Sequence, residues 1–183
     1  MALKRAFIVG CGHPWRGDDA VGREVAMALW RQRSRWPALD STTITWAHQL
    51  LPEMAFDISV SRMAVFVDAS CGDLGAGSVR REVLPPPLAP RPGNVSVGVG
   101  CWEELTPRRL LALSLDFYGN APPGVLVTVG VASLAPATSL SPAVREAVPR
   151  AVAAVLSALG PVACARAQRR PESTLGAGGP CRA

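Results

Sequence analysis

The start of the chain passes from an apolar run through a glycine-rich turn into an amphipathic segment. The apolar residues 6–9 predict a strand, and Gly10, Cys11 and Gly12 follow it directly. Glycine adopts backbone angles that residues with a Cβ atom reach poorly, which favours a tight turn here. Beyond a polar stretch, apolar residues recur at helical spacing, so a helix is predicted over residues 18–33.

The remaining chain continues to alternate strands with helices. β-branched and aromatic residues predict a strand at 42–46, and a continuous apolar run predicts a buried parallel strand at 63–67. Further predicted elements are a helix at 50–58, an edge strand or extended arm at 75–84, a weak strand or loop at 95–99, a helix at 106–115 with Thr106 as N-cap and Pro107 at its first position, a strand at 124–131 and a helix at 142–159. Five prolines exclude regular structure over 85–92. Pro149 predicts a kink or a delayed start of the last helix.

This alternation predicts an α/β fold with three layers, in which helices flank a mostly parallel twisted sheet and the crossovers are right-handed. The segment 75–84 is its possible edge strand. A chain of 183 residues, 49% of them apolar, can form one domain with a sizeable core, and we assign residues 1–160 to it. The composition then shifts to Arg, Gly, Pro and Ala, so residues 161–183 are expected to form a disordered basic tail.

The net charge of +5 is spread along the chain rather than concentrated. Because no repeats of aromatic and basic residues accompany it, we expect no binding to nucleic acid. No stretch approaches the roughly 20 apolar residues of a membrane span, and no secretory signal precedes the first strand. The five cysteines include no C-x-x-C pair, which favours reduced thiols. These features predict a cytoplasmic protein without a membrane partner.

Several polar side chains follow the ends of the predicted strands. They are Cys11, His13 and Asp19 after the first strand, His48 after the second, and Asp68 and Cys71 after the third. The carboxyl ends of parallel strands meet at one edge of a sheet, where α/β proteins place their chemistry. We therefore expect these side chains to line one crevice.

Asp18 and Asp19 allow two interpretations. Both lie where a helix favours an N-cap and acidic first-turn residues, but capping needs only one of them, which leaves the second for binding a cation. A dinucleotide fingerprint is disfavoured, because Trp15 takes the position of its third glycine and the two carboxylates would repel a phosphate.

Three motifs, taken in this order, resemble one protein family. They are G-x-G-x-P-x-x-x-D-D-x-x-G from Gly10, V-F-V-D-A from Val65 and L-T-P-x-x-L-L-A-L from Leu105. Together with HQLLPEMA from His48, they resemble the hydrogenase maturation endopeptidases. The resemblance implies a phosphorylase/hydrolase-like fold and one activity. That activity is removal of a C-terminal peptide from the large-subunit precursor of a nickel-iron hydrogenase after nickel insertion.

The resemblance also implies a site. Nickel belongs to the substrate and guides recognition by three protease side chains, so the free enzyme is expected to hold no metal of its own. Carried over by motif, these side chains are Asp19, where the family usually has glutamate, Asp68, and Glu103, where the family has histidine. Asp19 and Asp68 are also the predicted catalytic residues. The family precedent further implies a monomer that meets its substrate transiently.

The missing histidine leaves alternatives open. A carboxylate binds nickel less selectively than an imidazole nitrogen does. His13 stands where the family has an asparagine that stabilises the loop, so it either takes over that role or is a relocated nickel ligand. Cys71 and Cys101 are further candidate ligands, although lone cysteines are commonly small buried residues. His48 is interpreted as a loop or substrate-contact residue.

The predicted mechanism combines positioning with the activation of water. Nickel in the substrate docks onto Asp19, Asp68 and Glu103, which places the scissile bond nearby, and the metal or an aspartate acting as general base activates water. The sequence has no H-E-x-x-H and no triad motif, and Cys11 beside His13 is poorly placed as a nucleophilic pair. The alternatives are a non-catalytic relative that acts as a hydrogenase-subunit chaperone or checkpoint, and a dinucleotide-binding module.

Overall fold

A computed structural model describes residues 4–88 and 105–160 of the chain. The strands are β1 (Ala6–Cys11), β2 (Thr42–Ala47), β3 (Ala64–Cys71), β4 (Val79–Leu84) and β5 (Gly124–Val131). The α-helices are α1 (Val21–Arg31), α2 (Met54–Ser59), α3 (Pro107–Tyr118) and α4 (Pro142–Ala158). Short 3-10 turns lie at Gly17–Ala20, Arg33–Arg35 and Pro37–Leu39.

The five strands form one sheet in the order β2-β1-β3-β5-β4. Neighbouring strands are parallel except for β4, which runs antiparallel to β5 at the edge. Because successive side chains of a strand point to opposite faces, Ile8 and Val65 pack with α1 and α4, whereas Phe7 and Phe66 pack with α2 and α3. The predicted three-layer, mostly parallel α/β fold is confirmed, and the segment predicted as an edge strand or an arm is an edge strand.

Two boundaries differ from the prediction in ways that affect the site. β3 does not end before Asp68 but continues to Cys71, because its pairing with β5 extends to Cys71 opposite Val131. Asp68 is therefore part of a strand rather than of the loop after it. The first helix does not start as an α-helix at residue 18, since Gly17–Ala20 forms a 3-10 turn and α1 begins only at Val21.

Other predicted elements are confirmed in whole or in part. Thr106 caps α3 by accepting the backbone N–H of Arg109 at 3.3 Å, and Pro107 occupies the first helical position. Only the last part of the helix predicted at 50–58 forms, as α2. The delayed start suggested by Pro149 is wrong, because α4 begins at Pro142 and contains that proline. Residues 89–92, all of 95–99 and the predicted tail 161–183 lie outside the described residues. Among the described helices, none is long and apolar enough to cross a bilayer.

The first turn of α1 lies in direct backbone contact with two strands. A Cβ atom on Gly10 would overlap the carbonyl group of Gly22, and a Cβ atom on Gly22 would overlap the carbonyl oxygens of Cys11 and Val67. Only glycine allows the helix to approach β1 and β3 this closely. The crossing brings the residues that precede α1 onto the carboxyl ends of both strands.

We expect Gly22→Ala to lower the free energy of unfolding by about 1–3 kcal/mol, because the added methyl group overlaps strand backbone that is held in the sheet. This loss opposes the gain of about 1 kcal/mol that alanine ordinarily brings inside a helix. Urea unfolding followed by circular dichroism measures the difference.

Gly75→Ala is the matched control. A Cβ atom at Gly75 meets only Ser78 Oγ, at an ordinary contact distance of 3.6 Å, so its stability should change by less than about 0.5 kcal/mol. Equal stabilities of the two variants would show that the crossing at Gly22 tolerates a side chain.

Candidate active site

The loop after β1 folds back so that the Asp19 carboxylate lies near the strand end. Gly12 has a φ of +135°, which favours glycine, and a Cβ atom there would overlap the backbone carbonyl of Asp19. Asp19 Oδ2 accepts the backbone N–H of His13 at 2.9 Å. The carboxylate is thus oriented by the backbone of its own loop.

Asp18 is buried and joins the same loop to the last helix. Its Oδ1 accepts the backbone N–H of Ser141, the N-cap residue of α4, at 2.6 Å. The capping interpretation is wrong for α1, whose N-cap residue is Ala20, with no side-chain cap. The expectation of acidic first-turn residues is confirmed for the short 3-10 helix Gly17–Ala20, which contains both Asp18 and Asp19.

Asp68 lies where the sheet opens between β1 and β3. The pairing of these strands ends at Gly10 opposite Val67, while β3 continues beside β5 with Asp68 opposite Thr128. The side chain is half-buried, and its Oδ1 accepts the backbone N–H of Ala69 at 2.8 Å. Because Asp68 belongs to a paired strand, its backbone is held in place by the sheet.

Cys11 is the last residue of β1, and the pKa of its thiol is affected by the charges of both carboxylates. Burial raises the pKa of its thiol to about 12, and the negative charges of Asp68 and then Asp19 add to this effect. Both carboxylates therefore lie within electrostatic reach of one sulfur atom. Since the nucleophilic form of cysteine is the thiolate, a thiol with this pKa is not a nucleophile at neutral pH.

The two histidines of the chain form a contact at this edge of the sheet. The ring centroids of His13 and His48 are 4.6 Å apart, with the planes tilted by 43°. The backbone N–H of Trp15 donates to His13 Nδ1 at 3.3 Å. These contacts give His13 a place in the loop structure that fits the loop-stabilising interpretation. His48 is exposed and follows β2.

Of the remaining candidate ligands, only Cys71 lies among the described residues. Glu103 and Cys101 lie outside the described residues, and Cys71 is exposed at the last position of β3. Within residues 4–88 and 105–160, no three His, Cys, Asp or Glu side chains are grouped so that they could hold a metal ion. The described carboxylates therefore form at most part of a metal site.

One contact that shapes this edge does not follow from the sequence. The bond from Ser141 to Asp18 joins residues 123 positions apart, which local spacing does not predict. The contact between His13 and His48 and the position of Cys11 near the carboxylates agree with the expectation that side chains at the strand ends line one crevice.

Comparisons with known proteins support a single fold family. No family model and no curated protein matches the chain. Among solved structures, hydrogenase maturating endopeptidase HybD from E. coli is 23% identical, with a TM-score of 0.61 over 85% of this chain and 91% of that one. The [NiFe] hydrogenase maturation protease HycI from Thermococcus kodakarensis is 22% identical, with a TM-score of 0.61 over 85% and 92% of the two chains.

A hydrogenase 2 maturation peptidase from a Thaumarchaeota archaeon is also similar, at 24% identity and a TM-score of 0.60 over 86% of this chain and 99% of that one. The chain has the fold of the hydrogenase maturation endopeptidases. The resemblance carried by the sequence motifs is thereby confirmed for the fold. In this endopeptidase fold, Asp19 and Asp68 lie at the carboxyl edge of the parallel strands.

We expect the stability of the chain to fall with rising pH between about 9 and 12. Over this window the unfolded Cys11 thiol, with an ordinary pKa of 9.0, loses its proton, whereas the folded thiol keeps it up to a pKa of about 12. The folded state then binds more protons, so the free energy of unfolding decreases by up to about 1.4 kcal/mol per pH unit. Below pH 9 this contribution is fully present. Urea unfolding across the window measures the slope.

Cys11→Ala removes this titration and should show a shallower loss of stability over the same pH window. Cys71→Ser is the matched control, because Cys71 is exposed and its replacement should leave the slope at that of the wild type. A Cys11→Ala slope equal to that of the wild type would contradict a raised pKa at Cys11.

Proposed function

We propose that this chain is an endopeptidase that removes a C-terminal peptide from the large-subunit precursor of a nickel-iron hydrogenase after nickel insertion. One observation carries the proposal. The Asp19 and Asp68 carboxylates both lie within electrostatic reach of the Cys11 thiol, at the sheet edge of a fold shared with hydrogenase maturation endopeptidases. This is also the edge at which α/β proteins usually place their ligands.

The two carboxylates suit recognition of a cationic group carried by the substrate. The negative charges of both carboxylates act on the Cys11 thiol. Holding two like charges at one edge of the sheet without a cation between them costs electrostatic energy, because the charges repel each other. A carboxylate has about four lone-pair sites, so the bond from His13 that orients Asp19 leaves capacity to bind a metal ion. We propose that nickel held by the precursor supplies the cation, with Glu103 as the third ligand.

Docking of the nickel centre would fix the scissile peptide bond beside the same carboxylates, and such positioning supplies a large part of catalysis. One aspartate then acts as general base. It takes a proton from a water molecule whose oxygen attacks the peptide carbonyl carbon. The carbon–nitrogen bond breaks as the leaving amine takes up that proton, which releases the C-terminal peptide.

We expect Asp19→Asn and Asp68→Asn each to slow precursor cleavage at least about 100-fold, the lower end of the usual effect of losing a general acid–base group. Asparagine keeps an oxygen that can accept the backbone N–H of His13 or Ala69 but removes the negative charge. Intact mass spectrometry of a nickel-loaded precursor, with and without the protein, follows the loss of the peptide.

Asp40→Asn is the matched control. Asp40 is exposed just before the amino end of β2, whereas the candidate site lies at the carboxyl ends of the parallel strands. It should cleave at the wild-type rate, and a precursor without nickel should not be cleaved by any form. Normal cleavage by both Asp19→Asn and Asp68→Asn would refute the site. If the wild type never cleaves the precursor but co-purifies with it, the protein is a chaperone or checkpoint and the proposed activity is wrong.

Glu103→His tests the third ligand. An imidazole nitrogen is a better nickel donor than a carboxylate oxygen, so we expect this variant to cleave faster than the wild type at limiting precursor concentration. Glu104→His places the same side chain one position along the chain and should leave the rate unchanged. Equal effects of the two substitutions would remove Glu103 from the proposed site.

A further inference from the structure

A groove runs between α1 and α4, outside the candidate active site. Its volume is about 540 Å³, within the range of ligand-binding pockets. The residues that matter for its chemistry are Arg23, Ala28 and Arg31 on α1, Arg145 and Pro149 on α4, and Pro14 in the loop after β1. A small residue, Ala28, leaves the groove open between the two helices.

The groove carries a surplus of positive charge. Three arginines line it, against one carboxylate, that of Glu24, which pairs with Arg23 at 2.8 Å. Arg145 Nη2 donates to the carbonyl oxygen of Leu140 at 3.0 Å, which orients the guanidinium and leaves its other N–H donors for a ligand. Arg31 is exposed in the last turn of α1. Arginine is enriched in protein interfaces because its fork of donors matches carboxylates.

The spacing of the charges favours an extended ligand. Arg23 and Arg31 are eight positions apart on α1, which corresponds to about 12 Å along the helix axis. The arginine positions are therefore spread along the groove, which suits a ligand with several anionic groups better than a single carboxylate or phosphate. An extended chain advances about 3.3 Å per residue, so two acidic side chains four residues apart in a peptide match this separation.

We propose that this groove binds an extended acidic segment of a partner protein. The chain's own tail is excluded by charge, because residues 161–183 contain four arginines and one glutamate. A second copy is disfavoured for the same reason, since each chain carries a net charge of +5. An acidic partner can neutralise the positive charge of the groove, whereas the basic tail and a second copy of the chain cannot.

The proposal goes beyond the proposed function and does not depend on it. The groove borders Pro14 and Gly17, in the loop that carries Asp19, and Leu140 in the groove wall is next to Ser141, which binds Asp18. A partner segment held in the groove therefore lies beside the loop of the candidate active site.

Fluorescence anisotropy with a fluorescein-labelled octaglutamate peptide tests the groove in the full chain. We expect saturable binding that the double variant Arg31→Glu, Arg145→Glu weakens at least about 10-fold. Arg62→Glu, Arg80→Glu is the matched control, because both residues are exposed outside the groove and the net charge changes by the same amount. It should weaken binding less than about 2-fold. Equal weakening by both double variants would show diffuse attraction and overturn the proposal.

Ala28→Phe fills the groove without changing its charge and should also weaken octaglutamate binding. Arg31→Glu alone keeps the bond from Arg145 to Leu140, so it tests the charge if the double variant does not fold. Unchanged binding by either variant would place the peptide elsewhere.

Tighter binding of single-stranded dT8 than of octaglutamate would show that the groove binds nucleic acid rather than an acidic protein segment. Asp19→Asn should bind octaglutamate normally, so loss of cleavage and loss of peptide binding remain separate results.

Discussion

The close crossing of α1 over β1 and β3 is the constraint on which the candidate active site depends. A Cβ atom at Gly22 would overlap the carbonyl oxygens of Cys11 and Val67, and a Cβ atom at Gly10 would overlap the carbonyl group of Gly22. With larger residues at either position the helix would stand further from the sheet. The loop before α1 would then move outward, and the Asp19 carboxylate with it. The glycines at these two positions set the distance between α1 and the sheet.

The turn before α1 carries two acidic residues, the buried Asp18 and the half-buried Asp19, and they have different partners. Asp18 turns its carboxylate to the start of α4, while Asp19 turns its carboxylate back to the end of β1. The pair thus connects the last helix with the sheet edge through one short turn. Leu140, the neighbour of Ser141, also lines the groove between α1 and α4.

Cys11 shows how the environment assigns a role to a reactive residue type. It lies beside His13 in sequence, where the two residues are poorly placed as a nucleophile and its base. The structure agrees, because burial near two negative charges raises the pKa of the thiol to about 12. His13 meanwhile binds Trp15 and contacts His48. The proposed chemistry therefore rests on Asp19 and Asp68 rather than on this thiol.

The sequence by itself determined the fold class, since apolar periodicity and turn residues are local signals. Residues that are neighbours in the chain are enough to predict the alternating strands and helices, the Thr106 cap and the motif aspartates. The sequence could not determine that β3 continues through Asp68, because this depends on pairing with β5, which lies far along the chain. Only tertiary packing decided that Asp18 binds the start of α4, how closely His13 and His48 approach each other, and that Arg31 and Arg145 line one groove. Each of these brings distant segments together, and the energy of such packing depends on burial and distance rather than on sequence spacing.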